Sequence, residues 1–574
     1  MCRAGSASWS TARHNWPTVI AGEVGLGLLA AWEAVSDGPG ALSQVVERIA
    51  APLLTYPGDG SYEEGPGYWH YGLGECLPLC EALWVASAGG VDLFSLPFLA
   101  RTGDYGLHLR TPDGGCFDVE DGASRWAAGW MLAVLGRRTG RPGVAAAGED
   151  CLGTPAGGPA LRQLTLVAPA AAGDRAARPG GPVAPATMAF FPGTQNAMLR
   201  SDWTPRAFFA GLHAGSNAVN HAHLDLGTFT VGAAGERVLG DSGSWGYTLD
   251  YFRGGPGGPR WDYEPNATAG HNALLIDGAG QDPLPAAECR FHQVQLQPEA
   301  GLALLSMRLT AAHGGRLQDY LRHFAVFTEG LVVVIDLVLA AEPRRLAWCA
   351  HPTAAPEPLG DDGPGWTWRA GGAAAELRLL SLDDREGFVL SEAARHTRYR
   401  DRTGRARAYT TQAVRAATLH PATAWRVVAV LRAGPAGALP EARLRASGSM
   451  RRDRPPLDSA HVFGYAGGGR RFLPSTLTSN RLAAAPTDPW ERKTVGVRAA
   501  VRVREVPPRQ AWTAHIAAPH GAKQVVPRKG GAAVSREGSP ETVGANVRSS
   551  GGLRRAQGAR AFTSADGGPC GLRP

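Results

Sequence analysis

The spacing of apolar and polar positions divides the chain into a helical first part and a strand-rich second part. Apolar side chains recur at helical spacing over residues 19–35, 41–54 and 68–87. This periodicity predicts helices. Two further helical pieces are predicted at 91–100 and 123–138, with a glycine-rich turn between them. Helices joined by loops indicate a helical array over residues 1–140.

After residue 187 the apolar runs become short and are separated by turn-forming residues. Strands are predicted at 188–191, 197–203, 207–212, 302–309, 320–326, 331–338, 376–380 and 424–431. Short strands bounded by turn signals are typical of an antiparallel sandwich. The sequence therefore predicts an α+β multidomain protein in which an antiparallel β-sandwich, 187–433, follows the helices.

The segments outside these two parts have a different composition. Residues 141–186 are rich in Ala, Gly and Pro, and are expected to be a linker or an insertion. Residues 434–490 show only patchy patterning. Residues 491–574 hold 15 Lys/Arg and 5 Asp/Glu, a net charge of +10, so the rest of the chain carries −3 of the total of +7. This basic tail is predicted to be disordered, and its charge gives no reason to expect nucleic acid at the active site.

Targeting signals and cysteine spacing give little information about where the protein acts. No run of 18 apolar residues occurs, so no membrane span is predicted, and no secretory signal is readable at the N-terminus. The eight cysteines are scattered and form no zinc-ribbon pair, which leaves the redox compartment open.

Residues 217–229 hold the densest group of side chains suited to catalysis. His221, His223 and Asp225 stand at alternate positions. Alternate side chains of a β-strand point to one face of the sheet. The pattern therefore predicts one site that all three residues could share.

A hairpin is predicted directly after this stretch, with strands 228–231 and 237–239 and a turn at 232–235. The expected register brings Asp241 beside His223, although a slip of one residue would turn Asp241 away. Another imidazole, His271, precedes a short apolar run. Two imidazoles and a carboxylate can bind a zinc ion.

Four motifs resemble the C-terminal β domain of the heparinase II/III-like polysaccharide lyases, which include heparinases and alginate lyases. They are His221-Ala-His-Leu-Asp-Leu-Gly-Thr-Phe229, Asp241-Ser-Gly, Tyr251-Phe-Arg and Gly270-His-Asn. The resemblance implies a helical toroid followed by an antiparallel β-sandwich. The family's helical part is usually longer and extends upstream of the His14-Asn-Trp motif, so an incomplete (α/α) toroid is expected here.

The resemblance also implies a metal cofactor, a cellular location and a substrate class. Matched residue by residue, the family's zinc ligands correspond to His223, Asp241 and His271, and the zinc is expected to be structural. Family members are typically periplasmic or secreted. The implied partner is an acidic polysaccharide, while its identity and the oligomeric state stay open.

Polysaccharide lyases cleave uronic acid chains by β-elimination. A base removes the C5 proton, and an acid protonates the O4 leaving group. The enolate-like intermediate requires neutralisation of the substrate carboxylate. Tyr68 is the expected acid, because its separation from His14 resembles that of the family's catalytic pair. His14 is expected to be the base or a neutralising group.

The remaining site residues are assigned by their chemistry. Asn15 can hydrogen-bond the substrate carboxylate, and His221 is expected to face the substrate from the sandwich. Tyr71, one helical turn after Tyr68, is the runner-up for the acid and a candidate for contacts with the substrate. Glu64 and Tyr251 are weaker candidates for contacts with the sugars.

Four functions remain open from the sequence. The first is a lyase, and the second is a uronyl C5-epimerase, which returns a proton to the other face of the same intermediate. The third is an inactive, zinc-stabilised carbohydrate-binding remnant, suggested by the short helical part. The fourth is a metal-activated oxygenase that uses the His-x-His pair, but it leaves the His14-Asn-Trp motif unexplained.

Overall fold

The computed structural model describes most of the chain up to residue 442 and four short strands after it. The described ranges are 14–121, 129–151, 185–243, 247–248, 250–381, 387–400, 405–440, 442, 444–446, 460–462, 475–477 and 498–501. All of them belong to one compact unit, Met1–Pro508.

Helices dominate the first part of the described chain, as the periodicity predicts. They are α1 Trp16–Ala30, α2 Gly38–Thr55, α3 Gly65–Ala86, α4 Pro97–Leu109, α5 Gly129–Arg138 and α6 Pro142–Cys151. A proline stands in the first turn of each of the first four helices, where its missing N–H costs no helical hydrogen bond.

The helices share a core in which α1 and α3 lie very close together. Trp69 and Leu73 of α3 are buried there with Phe98 of α4. At Gly22 of α1, an added Cβ would lie 2.1 Å from the carbonyl oxygen of Glu75. The close contact between α1 and α3 therefore depends on glycine at this position.

Three helical boundaries differ from the sequence-based prediction. Helix α1 ends at Ala30, and a 3-10 turn, Trp32–Ala34, follows it. The piece predicted at 91–100 is a short 3-10 turn, Leu93–Ser95, followed by α4, because Pro97 sets the first turn of a new helix. Helix α6 begins inside the predicted linker, where alanines following Pro142 favour helix. The rest of that predicted linker, 152–184, lies outside the described residues.

The second part of the chain consists of strands. In chain order they are β1 Met188–Phe191, β2 Asn196–Arg200, β3 Phe209–His213, β4 Gly215–Ser216, β5 Phe229–Ala233, β6 Glu236–Gly240, β7 Leu274–Ile276, β8 Glu288–Cys289, β9 Phe291–Gln297, β10 Leu302–Arg308, β11 Asp319–Phe327, β12 Leu331–Arg344, β13 Leu346–Pro352, β14 Glu357–Pro358, β15 Gly365–Ala370, β16 Ala373–Ser381, β17 Phe388–Arg400, β18 Ala406–Thr418 and β19 Ala422–Pro435.

These strands form two large antiparallel sheets. The first has the order β1-β2-β3-β5-β6-β13-β18-β17, with β7 also paired to β13, and the second has the order β14-β15-β16-β19-β12-β11-β10-β9. Their inner faces share one core, in which the ring of Phe229 from β5 lies 5.6 Å from that of Phe324 from β11. Two sheets packed on a common core form a sandwich.

A buried ion pair in this core holds the segments that carry the functional motifs. Arg322 binds both carboxylate oxygens of Asp336, at 2.7 and 2.9 Å. Its remaining nitrogen donates to the carbonyl oxygens of Gly227 and Asn272, at 2.7 and 3.0 Å. The core of the sandwich thereby fixes the end of the His221 motif and the residue after His271.

The predicted hairpin forms with a shorter turn than expected. Strands β5 and β6 leave only Ala234 and Gly235 between them, with φ of 54° and 89°. Two left-handed residues are typical of the tight turns that match the twist of paired strands. The pairing shifts by one residue between Val231 and Gly232, an irregularity that the expected register did not include.

Four short strands follow the sandwich and form a separate sheet. They are β20 Leu444–Ala446, β21 Ala460–Val462, β22 Ser475–Leu477 and β23 Arg498–Val501. The last one falls inside the tail that its composition predicts to be disordered. Within the described residues, no helix has the length and apolar character that crossing a membrane requires.

Candidate active site

The residues 217–228, here called the motif loop, connect β4 to β5 and do not form the strand that their alternation predicts. His221 has a φ of 63°, a left-handed conformation that interrupts an extended run. The backbone N–H of Leu224 donates to the carbonyl oxygen of Asn266, and that of Gly227 donates to His213. The loop is therefore held by its neighbours and not by a regular sheet.

His223, Asp225 and His271 form a buried cluster with the composition of a metal site, here called the metal cluster. Each offers one ligand atom, and these three atoms lie within 4.8 Å of one another. His223 Nδ1, Asp225 Oδ2 and both ring nitrogens of His271 are buried without a hydrogen-bond partner among the described residues. Buried polar atoms left without partners at one point are what a bound cation would satisfy, so the residues fit zinc.

Asp241 lies at the edge of the metal cluster, beside His271. Its Oδ2 is 3.6 Å from His271 Nδ1, and its Oδ1 accepts from the N–H of Gly243. The expected register placed it next to His223 as the carboxylate ligand. The structure instead places Asp225 in that cluster, and Asp241 contacts the second imidazole.

Asp121, in the segment that follows α4, connects the helical part to the motif loop. Its Oδ2 accepts from His221 Nδ1 at 2.7 Å, and its Oδ1 accepts from His223 Nε2 at 2.9 Å. The Tyr251 hydroxyl and Arg260 donate to Oδ1 as well. Burial alone would raise the pKa of Asp121, but the hydrogen bonds from the two imidazoles and the charge of Arg260 hold that pKa well below its usual range.

Tyr68 and His221 meet where the helical part faces the motif loop. Their rings are stacked, with centroids 3.7 Å apart and planes 19° apart. The Tyr68 hydroxyl shares a hydrogen bond of 2.6 Å with the hydroxyl of Tyr247. Burial, reinforced by Tyr247 and by the carboxylates of Asp121 and Glu64, raises the pKa of Tyr68 well above its usual value. The phenol therefore keeps its proton at neutral pH.

His14 lies two residues before the start of α1, and one of its ring nitrogens accepts a hydrogen bond from the backbone. Its Nδ1 accepts from the backbone N–H of Trp16 at 3.2 Å. Burial lowers the pKa of His14, an effect that Glu64 opposes and His221 reinforces. The neutral imidazole must then carry its proton on Nε2, which makes His14 a hydrogen-bond donor.

Glu64 joins three segments of the site and is itself buried. Its Oε2 accepts from the backbone and side-chain nitrogens of Asn15, at 3.0 and 2.8 Å, and from Tyr62. Its Oε1 accepts from Asn220 Nδ2 at 2.6 Å. Asn15 is also buried, whereas Asn220 is exposed on the motif loop. The exposed amide next to the catalytic candidates is therefore that of Asn220.

The three residues expected to contact sugars occupy different environments. Tyr251 is fully buried with its hydroxyl on Asp121, and Glu64 is 2% exposed, so both lie beneath the surface of the site. Tyr71 is 47% exposed, and its ring is 6.4 Å from that of Tyr68. Phe252, which is 52% exposed, lies 6.5 Å from the ring of His221.

Sequence reasoning missed four residues of this site: Asp121, Asn220, Tyr247 and Arg260. Asn220 was detectable, because it directly precedes His221 in the motif. Asp121 carries no periodic or motif signal, and its imidazole partners are 100 and 102 positions away. Such a contact becomes visible only when the fold brings the two segments together.

Comparisons with known proteins agree with this fold. The chain has the fold of a heparan sulfate lyase HepC mutant from Pedobacter heparinus, with a TM-score of 0.60 and 14% identity over 80% of this chain and 66% of that one. A heparinase III matches with a TM-score of 0.58 and 14% identity over 81% and 67%. This chain thus spans slightly less than two thirds of the length of the heparan sulfate lyase.

Helices followed by this sandwich define a protein built like the heparinase-type polysaccharide lyases. Residues 184–433 match the family described as Heparinase II/III-like, C-terminal. The resemblance drawn from the sequence motifs is therefore confirmed. A search of curated proteins found no match.

Proposed function

We propose that the protein is a lyase that cleaves a uronic-acid-containing polysaccharide by β-elimination. The observation that carries the proposal is the stacking of Tyr68 on His221, at 3.7 Å, between the helical part and the sandwich. A protonated phenol beside an imidazole supplies the acid and the base that the elimination requires. The fold shared with heparinase-type lyases supports the same reaction class.

His221 is suited to be the base. Its Nδ1 donates to Asp121, so Nε2 is the nitrogen that can accept a proton. Removal of the C5 proton by this nitrogen leaves an electron pair that forms the C4=C5 double bond. The bond between C4 and O4 then breaks, and the hydroxyl of Tyr68 donates its proton to the departing O4.

Two donors are placed to neutralise the substrate carboxylate. His14 carries its proton on Nε2, because its Nδ1 accepts from Trp16. The amide of Asn220 is exposed and is held in place by Glu64. Hydrogen bonds from these groups to the carboxylate would stabilise the negative charge that develops in the transition state. Asn15, buried beside Glu64, supports this arrangement from below.

Zinc belongs to the proposal as a structural ion. His223, Asp225 and His271 would hold it, with Asp241 against His271. When bound, the ion would cross-link the motif loop to the segment before β7 and would supply no group to the elimination. We also infer that the helices form part of an (α/α) toroid, as in the family.

The reaction is tested directly with purified protein and a panel of alginate, heparan sulfate, hyaluronan and ulvan. A lyase releases unsaturated ends, detected by ultraviolet absorbance, and Tyr68→Phe should reduce their release by roughly 100-fold or more. The same reactions in heavy water identify a C5-epimerase, which incorporates deuterium at C5 without shortening the chain. Binding without either product would support the carbohydrate-binding remnant and contradict the proposal.

A further inference from the structure

We propose that Asp121 is a positioning residue that sets the tautomers of His221 and His223 together and so couples the metal cluster to the catalytic imidazole. The catalytic half of this inference rests on the proposed lyase function. The other half concerns only the metal cluster and is testable without any turnover.

The geometry places one carboxylate between the two imidazoles. Oδ2 of Asp121 lies 2.7 Å from His221 Nδ1, and Oδ1 lies 2.9 Å from His223 Nε2. The side chain of Asp121 has no solvent exposure. Arg260 binds Oδ1 at 3.1 Å and also donates to the carbonyl oxygen of Ala222, between the two histidines. The carboxylate is therefore fixed relative to both rings.

A carboxylate accepts hydrogen bonds and cannot donate them, so each imidazole must present an N–H to Asp121. His221 then carries its proton on Nδ1 and leaves Nε2 to act as the base. His223 carries its proton on Nε2 and leaves Nδ1 for a metal. His223 Nδ1 is one of the buried atoms without a hydrogen-bond partner among the described residues, as this assignment requires. A carboxylate behind a metal-binding histidine is a known way to fix its tautomer.

The same argument predicts what an amide would do at this position. Asparagine offers one accepting oxygen and one donating nitrogen to two imidazoles that both donate now. One hydrogen bond must then break, or one ring must change its tautomer. If His223 changes, its Nδ1 acquires a proton and the metal cluster loses a ligand. If His221 changes, its Nε2 acquires a proton and the base is lost.

The test uses Asp121→Asn in the full chain labelled with ¹⁵N-histidine, with the tautomers assigned by long-range ¹H–¹⁵N spectra. Signals of His221 and His223 are identified from His221→Gln and His223→Gln variants. We expect the unsubstituted chain, without added metal, to carry protons on Nδ1 of His221 and Nε2 of His223. In Asp121→Asn, at least one of the two should be reversed.

Two further measurements test the expected effects of Asp121→Asn on zinc binding and on catalysis. Zinc affinity, measured by equilibrium dialysis, should fall by roughly 10- to 100-fold in Asp121→Asn. The kcat on the substrate identified by the panel should fall by roughly 100-fold, with KM changed by less than about threefold. If no substrate is found, the lyase proposal fails, while the tautomer and zinc measurements still decide the role of Asp121.

Asp118→Asn is the matched control. Asp118 also reaches from the helical part to the sandwich, where it binds Thr230 and Arg237, at 3.0 and 2.7 Å. It should share any loss of stability but leave both tautomers unchanged. Should Asp121→Asn fail to fold, the spectrum of the unsubstituted chain is sufficient: a proton on Nδ1 of His223 would overturn the proposal. Unchanged tautomers and zinc affinity in folded Asp121→Asn would also overturn it.

Discussion

The ring of Tyr68, on α3, lies parallel to that of His221, on the motif loop, with 3.7 Å between their centroids. The stacking needs only the aromatic face, so Tyr68→Phe should preserve the fold and the contact. Loss of the hydroxyl removes the general acid, and elimination should fall by roughly 100-fold or more. Val85→Ala, at an exposed position on the same helix, is the control, and equal activity in the two variants would reject Tyr68 as the acid.

The choice between Asp225 and Asp241 as the carboxylate ligand can be settled by zinc content. Asp225→Asn should reduce zinc affinity by more than about 100-fold, because a ligand is lost, whereas Asp241→Asn should reduce it by roughly 10- to 100-fold, as expected for a residue that orients His271. His223→Ala should lose the metal and lower the melting temperature. Metal analysis after dialysis measures all three variants, and full zinc retention in His223→Ala would count against the cluster.

The buried pair of Arg322 and Asp336 should be essential for folding stability. Arg322→Met leaves the carboxylate buried without its cation and removes the bonds to Gly227 and Asn272. The free energy of unfolding should fall by about 3–5 kcal/mol. Arg344→Met is the control, because its partner Asp277 is 40% exposed and such pairs contribute less than about 1 kcal/mol. Equal losses in urea denaturation would contradict this reading.

Stability should depend on pH through His108. Burial and the charge of Arg200 lower the pKa of His108 to about 3, from 6.5 in the unfolded chain. Below pH 6.5 the unfolded state binds the proton first, so stability is lost as the pH falls from 6.5 towards 3. His108→Phe, beside Phe191 and Trp203, should remove roughly 2 kcal/mol of the loss between about pH 7.5 and about pH 5.

The control for His108→Phe is the same measurement on Leu419→Phe. Leu419 is exposed and carries no titratable group. Urea denaturation across this pH range should give the same slope for Leu419→Phe as for the unsubstituted chain. If His108→Phe also keeps that slope, burial of His108 is not a source of acid instability.

Phe252 should contribute to substrate binding without taking part in the chemistry. It is half exposed, and its ring packs 4.8 Å from that of Tyr247, next to the catalytic candidates. An exposed aromatic face can pack against the apolar face of a sugar, and its loss should raise KM by roughly 3- to 10-fold with little change in kcat. Trp32→Ala, which removes an exposed ring from the turn after α1, serves as the control. A fall in kcat with KM unchanged would contradict the assignment.

The sequence predicted the elements better than the contacts between them. Strands such as β11 and β12 were predictable, because apolar residues that pack in a sandwich core leave a local pattern. Helix α6 was not, since its Ala, Gly and Pro composition is shared by linkers. The left-handed backbone at His221 also escaped prediction, because histidine at that position carries no turn signal of its own.

In the candidate active site, too, individual residues were easier to predict than the contacts between them. The stacking of Tyr68 on His221 joins two residues that the family resemblance had singled out. Asp121 had no such signal, and its role arises from two imidazoles that are distant in sequence. The metal cluster illustrates a finer difference, because the β5–β6 pairing contains a register shift shortly before Asp241, and the sequence pattern does not predict such a shift. A sequence pattern predicts which side chains share one face of a strand, whereas tertiary packing determines which residues lie next to one another.

Two carboxylates of the helical part form hydrogen bonds with the motif loop. Glu64 binds Asn220, and Asp121 binds His221 and His223. Separating the helical part from the sandwich would expose both carboxylates and would also break the stacking of Tyr68 on His221. Among the described residues, opening at this boundary would break the hydrogen bonds that hold His221 beside Tyr68. If the proposed function holds, the two parts should therefore stay closed on one another during turnover.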